Sequence, residues 1–159
     1  MAIRHYTPET FNAHSAVGYL LRRTLNLLQP RMESLFVDHE FTFVQWCVLM
    51  QLRDGLANRA ADISRNLNHD SGALTRVIDQ LDARGMIERT RSTEDRRIVE
   101  LALTGQGSEA VEGLIPLVVD SLNELFAEFS RAEMEQLTGL LHRVLARLQA
   151  DSSSQGDTP

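Results

Sequence analysis

Between Asn58 and Leu103 the apolar residues change from the three-and-four rhythm of helices to the two-residue alternation of strands, and that change most limits the folds open to this chain. The stretch "NRAADISRNLN" reads as a short helix from about Asn58 to Leu67. The turn "NHD" follows, with Asp70 placed to cap a second helix, "SGALTRVIDQLDARG". Gly85 falls just past its end, where a left-handed residue is favoured. Two short helices joined by a three- or four-residue polar turn are a helix-turn-helix signature. "MIERT" and "IVELAL" then alternate, with Val99, Leu101 and Leu103 on one face and Ile98, Glu100 and Ala102 on the other, as in a half-buried strand. The seven residues "RSTEDRR" between them form the loop of a hairpin, so a dense cluster of opposite charge stands at a projecting tip.

Helical patterns flank this segment. From about Phe11 to Asp38, Val17, Leu21, Leu25, Leu28, Met32 and Leu35 recur at helical spacing, and Pro30 predicts a bend or two consecutive helices. Thr42 is placed to cap "FVQWCVLMQLRD", a helix ended by Gly55 and apolar almost all round, hence central and buried. Thr104 is placed to cap a helix running to about Phe129, and "SRAE" at 130–133 is a capping box opening a last helix through Met134, Leu137, Leu141, Val144 and Leu148. Residues 150–159, with their polar "DSSSQGDTP", read as a disordered tail. The expected fold class is mainly α with a small β-hairpin wing.

A chain of 159 residues suits one domain. Its apolar stretch "GLIPLVVDSL" is broken by Pro116 and Asp120, short of the roughly 20 residues that span a bilayer, and "MAIRHYTPETF" lacks the apolar run of a signal peptide. The expectation is a cytoplasmic protein with no membrane partner. A single cysteine, Cys47, excludes an intramolecular disulfide and a cysteine-rich zinc site. His5, His14, His39, His69 and His142 show no metal-ligand spacing, and neither a phosphate loop nor a nucleophile motif is present, so no enzyme and no cofactor are expected. A net charge of -6 argues by itself against a nucleic-acid partner. The average conceals an asymmetry, because from Arg59 to Arg97 eight arginines face seven acids and the flanks carry the deficit.

On a helix advancing about 100 degrees per residue, Leu74, Val77, Ile78 and Leu81 form a core face. Ser71, Gly72, Thr75 and Arg76 lie opposite in the first two turns, and Asp79, Asp82 and Ala83 come only farther along. Phosphates repel carboxylates, so a helix entering the major groove by its N-terminal half needs that half free of exposed acid. Apart from the cap Asp70, it is. Gly72 allows close approach, the Thr75 methyl suits a thymine methyl, and Arg76 suits guanine N7 and O6. The competing reading is an ordinary amphipathic helix with Arg76 paired to Asp79 or Gln80. Arginines at the hairpin tip suit a narrow minor groove, with Asp95 fixing one guanidinium of Arg96 or Arg97. The alternative there is a solvated turn whose ion pairs are worth little.

The run "GMIERTRSTEDRRIVELALTGQG" resembles the Gly-x-x-x-Arg, Asp-x-Arg and Leu-Thr-x-x-Gly pattern of MarR-type winged helix-turn-helix transcription regulators, through Gly85, Arg89, Asp95, Arg97, Leu103, Thr104 and Gly107. The resemblance covers roughly residues 12–149 and departs at Pro30 and at Phe41, where the family often has Leu. It implies a single MarR-like domain, with a winged-helix lobe at 42–103 and dimerisation helices at 11–40 and 105–149. It also implies a homodimer on a pseudo-palindromic operator in double-stranded DNA, acting as a repressor and released by a small aromatic or phenolic effector. By position, Ser71, Gly72, Thr75 and Arg76 would face the major groove and Arg97 the minor groove, with Asp95 orienting the wing and Arg96 on phosphate. An effector pocket would draw on His14, Tyr19 and Trp46, with Arg22 or Arg23 neutralising a carboxylate. Two alternatives stay open: a winged-helix protein-interaction adaptor without specific DNA binding, and a redox-responsive regulator based on Cys47. Against the second, the apolar surroundings of Cys47 predict an inert thiol of raised pKa.

Overall fold

The computed structural model describes residues 4–93 and 95–155. Among these, six helices and one antiparallel strand pair follow in the order α1 (Val17–Leu35), α2 (Phe43–Arg53), α3 (Ala60–Leu67), α4 (Ser71–Ala83), β1 (Ile87–Arg91), β2 (Val99–Leu103), α5 (Gly105–Leu125) and α6 (Arg131–Gln155). The fold is mainly α with a two-stranded wing. The chain divides into two compact units, one up to Val118 and one from Val119 onward.

The first unit is built around α2. Val48 and Leu49 of α2, Ile63 of α3, Leu74 and Leu81 of α4, Ile87 of β1 and Val111 of α5 are fully buried, so these five elements share one core. Burying such a side chain stabilises by about 1.5–3 kcal/mol. The cap of α2 is reciprocal: Gln45 N donates to Thr42 Oγ1 at 3.2 Å and Thr42 N donates to Gln45 Oε1 at 3.0 Å. Two buried amides on α2 point outward to its neighbours. Gln45 Nε2 donates to Gln80 Oε1 of α4 at 2.9 Å, and Asn66 Nδ2 of α3 donates to Gln51 Oε1 at 2.9 Å. They fix the angle at which both helices lean on α2, because a buried amide left unpaired costs about 1–3 kcal/mol.

The hairpin is held at its base. Gly85 takes φ 69° and turns the chain out of α4. Thr104 then donates its hydroxyl to the Gly85 carbonyl at 2.6 Å, donates its N–H to the Met86 carbonyl at 3.1 Å, and accepts from Gly107 N at 3.0 Å. The adjacent strand register pairs Ile87 with Leu103 and runs to Arg91 with Val99.

Several boundaries differ from expectation. Residues before Val17 form turns rather than the start of α1, because Asn12 Oδ1 accepts from the backbone of both His14 and Ser15 and so competes with the helix. The Tyr6 hydroxyl accepts from Val17 N at 3.1 Å where α1 begins. Pro30 lies inside α1 without dividing it; its missing N–H leaves the Asn26 carbonyl without that helical bond. α5 stops at Leu125, ahead of a turn in which Phe126 and Phe129 meet edge to face. α6 continues to Gln155, into the stretch expected to be disordered, and 156–159 of that expected tail lie outside the described residues.

The second unit holds the end of α5 and α6. Ser130 N and its hydroxyl both donate to Glu133 Oε2, and Glu133 N donates back to Ser130 Oγ at 3.3 Å, completing the capping box. Both hydrogen bonds hold the Glu133 carboxyl below its ordinary pKa. Among the described residues of this unit none is buried, and Leu137, Leu140, Val144, Leu145 and Leu148 stand exposed along α6.

Candidate nucleic-acid interface

The start of α4 is set by the turn before it. Asn68 adopts φ 48° and ends α3, Ser64 Oγ donates to the His69 carbonyl at 2.7 Å, and Asp70 Oδ1 accepts from Ala73 N at 2.8 Å as the cap. From that cap, Ser71, Gly72, Thr75 and Arg76 all stand exposed. The Thr75 hydroxyl donates to the Ser71 carbonyl at 2.8 Å, so its proton is taken up by the helix backbone, and its oxygen lone pairs and its methyl are what it has to offer. Arg76 has no ion pair with any described residue. Asp79 is instead held by Arg89 of β1, whose Nε also lies 3.0 Å from Asp82 Oδ2. The pairing of Arg76 with Asp79 offered by the amphipathic-helix reading is therefore absent.

At the wing tip, Ser92 N donates to the Ile98 carbonyl at 3.0 Å and extends the ladder past Val99. Asp95 does not hold a guanidinium, contrary to expectation. Its Oδ1 accepts from the backbone N–H of Arg97 at 2.9 Å, while its carbonyl accepts from Ile98 N at 2.9 Å. A side chain this short reaches the amide two residues on more readily than a long neighbouring guanidinium. Asp95 thus shapes the loop and leaves Arg96 and Arg97 exposed, without an ion pair among the described residues. Glu94 lies outside the described residues.

A groove of about 310 Å³ runs between α4 and the wing, lined by Thr75, Ile78, Arg89, Thr90, Arg91 and Val99 among others. Thr75 shares its lining with Arg91, an exposed residue absent from the contacts expected from sequence. Its signal was present, since Arg91 ends the strand that leads into the arginine-rich tip.

Of the expected effector residues, four lie on or just before α1 and the fifth lies on α2. His14 stands exposed in the turn before α1, and Tyr19, Arg22 and Arg23 stand exposed along α1. Trp46 is half-buried in an aromatic cluster, 5.8 Å from Phe36 and stacked at 6.0 Å on Phe43, with its indole Nε1 buried and unpartnered among the described residues. None of the five lines the cavity of about 430 Å³ between α1, α2 and the α3–α4 turn. Its walls include Leu25, Leu28, Met32, Phe43, Cys47 and His69. Burial pushes the Cys47 thiol up to about 11, so it stays protonated at neutral pH.

Among the described residues no cluster of His, Cys, Asp and Glu could hold a metal, and no helix is long and apolar enough to cross a membrane. Residues 41–99 match the MarR family model. The chain is 30% identical over 101 residues to the transcriptional repressor MprA of Escherichia coli (strain K12), covering 64% of this chain and 57% of MprA. It is 29% identical over 140 residues to the multiple antibiotic resistance protein MarR of the same strain, covering 87% of this chain and 97% of MarR. The match thus spans little more than half the length of MprA and nearly all of MarR. Among solved structures, Bordetella bronchiseptica BpsR, whose DNA binding is regulated by 6-hydroxynicotinic acid, aligns with a TM-score of 0.68 at 28% identity, over 84% of this chain and 96% of that one.

Proposed function

We propose, from the match of residues 41–99 to the MarR family model, that the protein is a sequence-specific DNA-binding transcription regulator acting in the cytoplasm. It works as a homodimer, represses from a pseudo-palindromic operator in double-stranded DNA, and releases it when a small aromatic or phenolic ligand binds. The observation that carries the reading is the division of charge on α4. The N-terminal half exposes Ser71, Gly72, Thr75 and Arg76 and no acid beyond the cap, whereas the acids farther along are held by Arg89.

In this reading α4 enters the major groove. Arg76 meets guanine and the Thr75 methyl meets thymine, each good base contact being worth about 1–3 kcal/mol of discrimination. Ser71 and Gly72 lie at the same exposed end. Arg97 reaches into the minor groove and Arg96 meets phosphate, on a loop that Asp95 shapes through the Arg97 N–H. The uncovered leucines of α6 supply a face for a second copy, and the repressor name of MprA and the ligand-regulated DNA binding of BpsR support repression and its relief. The cavity beside the α3–α4 turn is where an effector would act on α4, because His69 in its wall precedes the Asp70 cap.

The test is selection from a random duplex library with the purified protein at two salt concentrations, alongside Arg97→Ala. Recovery of an inverted repeat with half-sites one turn apart, bound less tightly by the variant, is the expected result. Failure to enrich any sequence, with weak binding indifferent to Arg97→Ala, would overturn it in favour of a protein-binding winged helix.

A further inference from the structure

The exposed side of α4 carries a liability that its N-terminal half avoids. Asp79 follows Thr75 by four residues, about 6 Å along the helix axis, and Asp82 lies one turn beyond. That is inside the screening distance of about 8 Å at physiological salt, so bare carboxylates there would repel the phosphates flanking any groove that Thr75 enters. Both side chains are substantially exposed, at 57% and 42%. Neither is paired within α4. Both converge instead on the guanidinium of Arg89 from the neighbouring strand, through Nη2 to Asp79 and Nε to Asp82. Arg89 in turn lines the groove between α4 and the wing together with Thr75 and Arg91.

We infer that Arg89 is a positioning residue for DNA binding: it offsets the Asp79 and Asp82 carboxylates on the nucleic-acid side of α4, leaving Arg76 and Arg91 as cations for the DNA. The inference rests on the DNA-binding reading above. A simple surface ion pair would not require two acids from one helix to share one fork. The planar guanidinium meets two carboxylates through separate nitrogens, a geometry that lysine cannot reproduce.

The test compares four proteins on a fluorescent duplex carrying the sequence recovered by selection with the unaltered chain: that chain, Arg89→Gln, Asp79→Asn/Asp82→Asn, and the triple variant. Circular dichroism melting establishes that each is folded. Arg89→Gln should weaken binding about tenfold by exposing two carboxylates to phosphate. The triple variant should recover most of that loss, because no uncompensated acid remains, and Asp79→Asn/Asp82→Asn should bind at least as tightly as the unaltered chain. Two results overturn the inference while leaving DNA binding intact: Arg89→Gln binding as tightly as the unaltered protein, or a folded triple variant remaining as weak as Arg89→Gln. The second would mean that Arg89 touches DNA itself or acts only through the wing. If the unaltered chain selects no duplex at all, the DNA-binding reading fails first and this inference falls with it.

Discussion

A methyl group at Gly107 would sit 1.9 Å from the Met86 carbonyl oxygen, and the obstacle is backbone rather than a side chain able to swing aside. Alanine is favoured over glycine inside a helix by about 1 kcal/mol, so propensity alone predicts that Gly107→Ala stabilises. The clash should win, because relieving it moves α5 off the hairpin base where Thr104 ties Gly85 and Met86. Gly107→Ala should destabilise by about 1–3 kcal/mol, the range for overpacking a well-filled site. Differential scanning calorimetry checks this, and an unchanged or higher Tm would show that the Met86 carbonyl yields freely. Cys47 poses a chemical question at the same scale. Its pKa rises from 9.0 to about 11 through burial, so the native state holds the proton across that interval and the unfolded state does not. The resulting stabilisation is complete below about pH 9 and is lost as pH rises through about 11. At pH 8 iodoacetamide should therefore alkylate Cys47 far more slowly in the native protein than in urea, about 100-fold from the two-unit shift alone. Equal rates by mass spectrometry would reopen the redox-responsive alternative.

At the scale of elements, the wing separates charge from shape. Arg97→Ala removes one cation and should lower the slope of log affinity against log salt by about 0.9, the contribution of one neutralised phosphate. Asp95→Ala removes the acceptor that holds the Arg97 N–H but keeps every arginine, so it should weaken binding through loop freedom and leave the slope unchanged. Titrations at four salt concentrations distinguish the two, and a slope altered by Asp95→Ala would mean that its charge, not its turn, matters. The same contrast explains what the sequence made legible. Caps and periods are local, so Thr42 with Gln45, Asp70 with Ala73 and Ser130 with Glu133 could be read as helix starts, and the alternation of Val99 to Leu103 as a strand. The start of α1 is not legible in the same way, because Asn12 offers the backbone a competing turn that no apolar period records. Cross-element partners are invisible in one dimension. Nothing near Asp79 announces that its partner lies ten residues on in a strand, and Gln45 and Gln51 in an apolar helix give no sign of bonding to Gln80 and Asn66. The cavity walled by Leu25, Phe43, Cys47 and His69 escaped for the same reason, since its residues come from three separated segments.

At the scale of the whole molecule, the second unit cannot be explained by its own packing. Leu137, Leu140, Val144 and Leu148 recur at three and four along α6, and each is at least 38% exposed. A stripe of this kind in water is a standing cost that a second copy would remove, and two-fold symmetry lets one self-complementary face serve both chains. Leu145, at 54% exposure, is a suitable probe. In a monomer, Leu145→Glu replaces an exposed side chain and should change stability by no more than about 0.5 kcal/mol. In a dimer closed through α6, it would bury an unpaired carboxylate at the contact, and association should fail. The unaltered protein should therefore sediment as a dimer with a Tm that rises with concentration, and Leu145→Glu should sediment near 17.9 kDa with a lower, concentration-independent Tm. DNA binding supplies the second readout. Recognition helices held about 34–36 Å apart engage both half-sites of an inverted repeat, so losing the dimer should reduce affinity for the repeat toward that for a single half-site. If Leu145→Glu remains dimeric and still prefers the repeat, α6 does not make the contact at that position, and the exposed Val17, Leu21 and Leu25 of α1 become the face to test next.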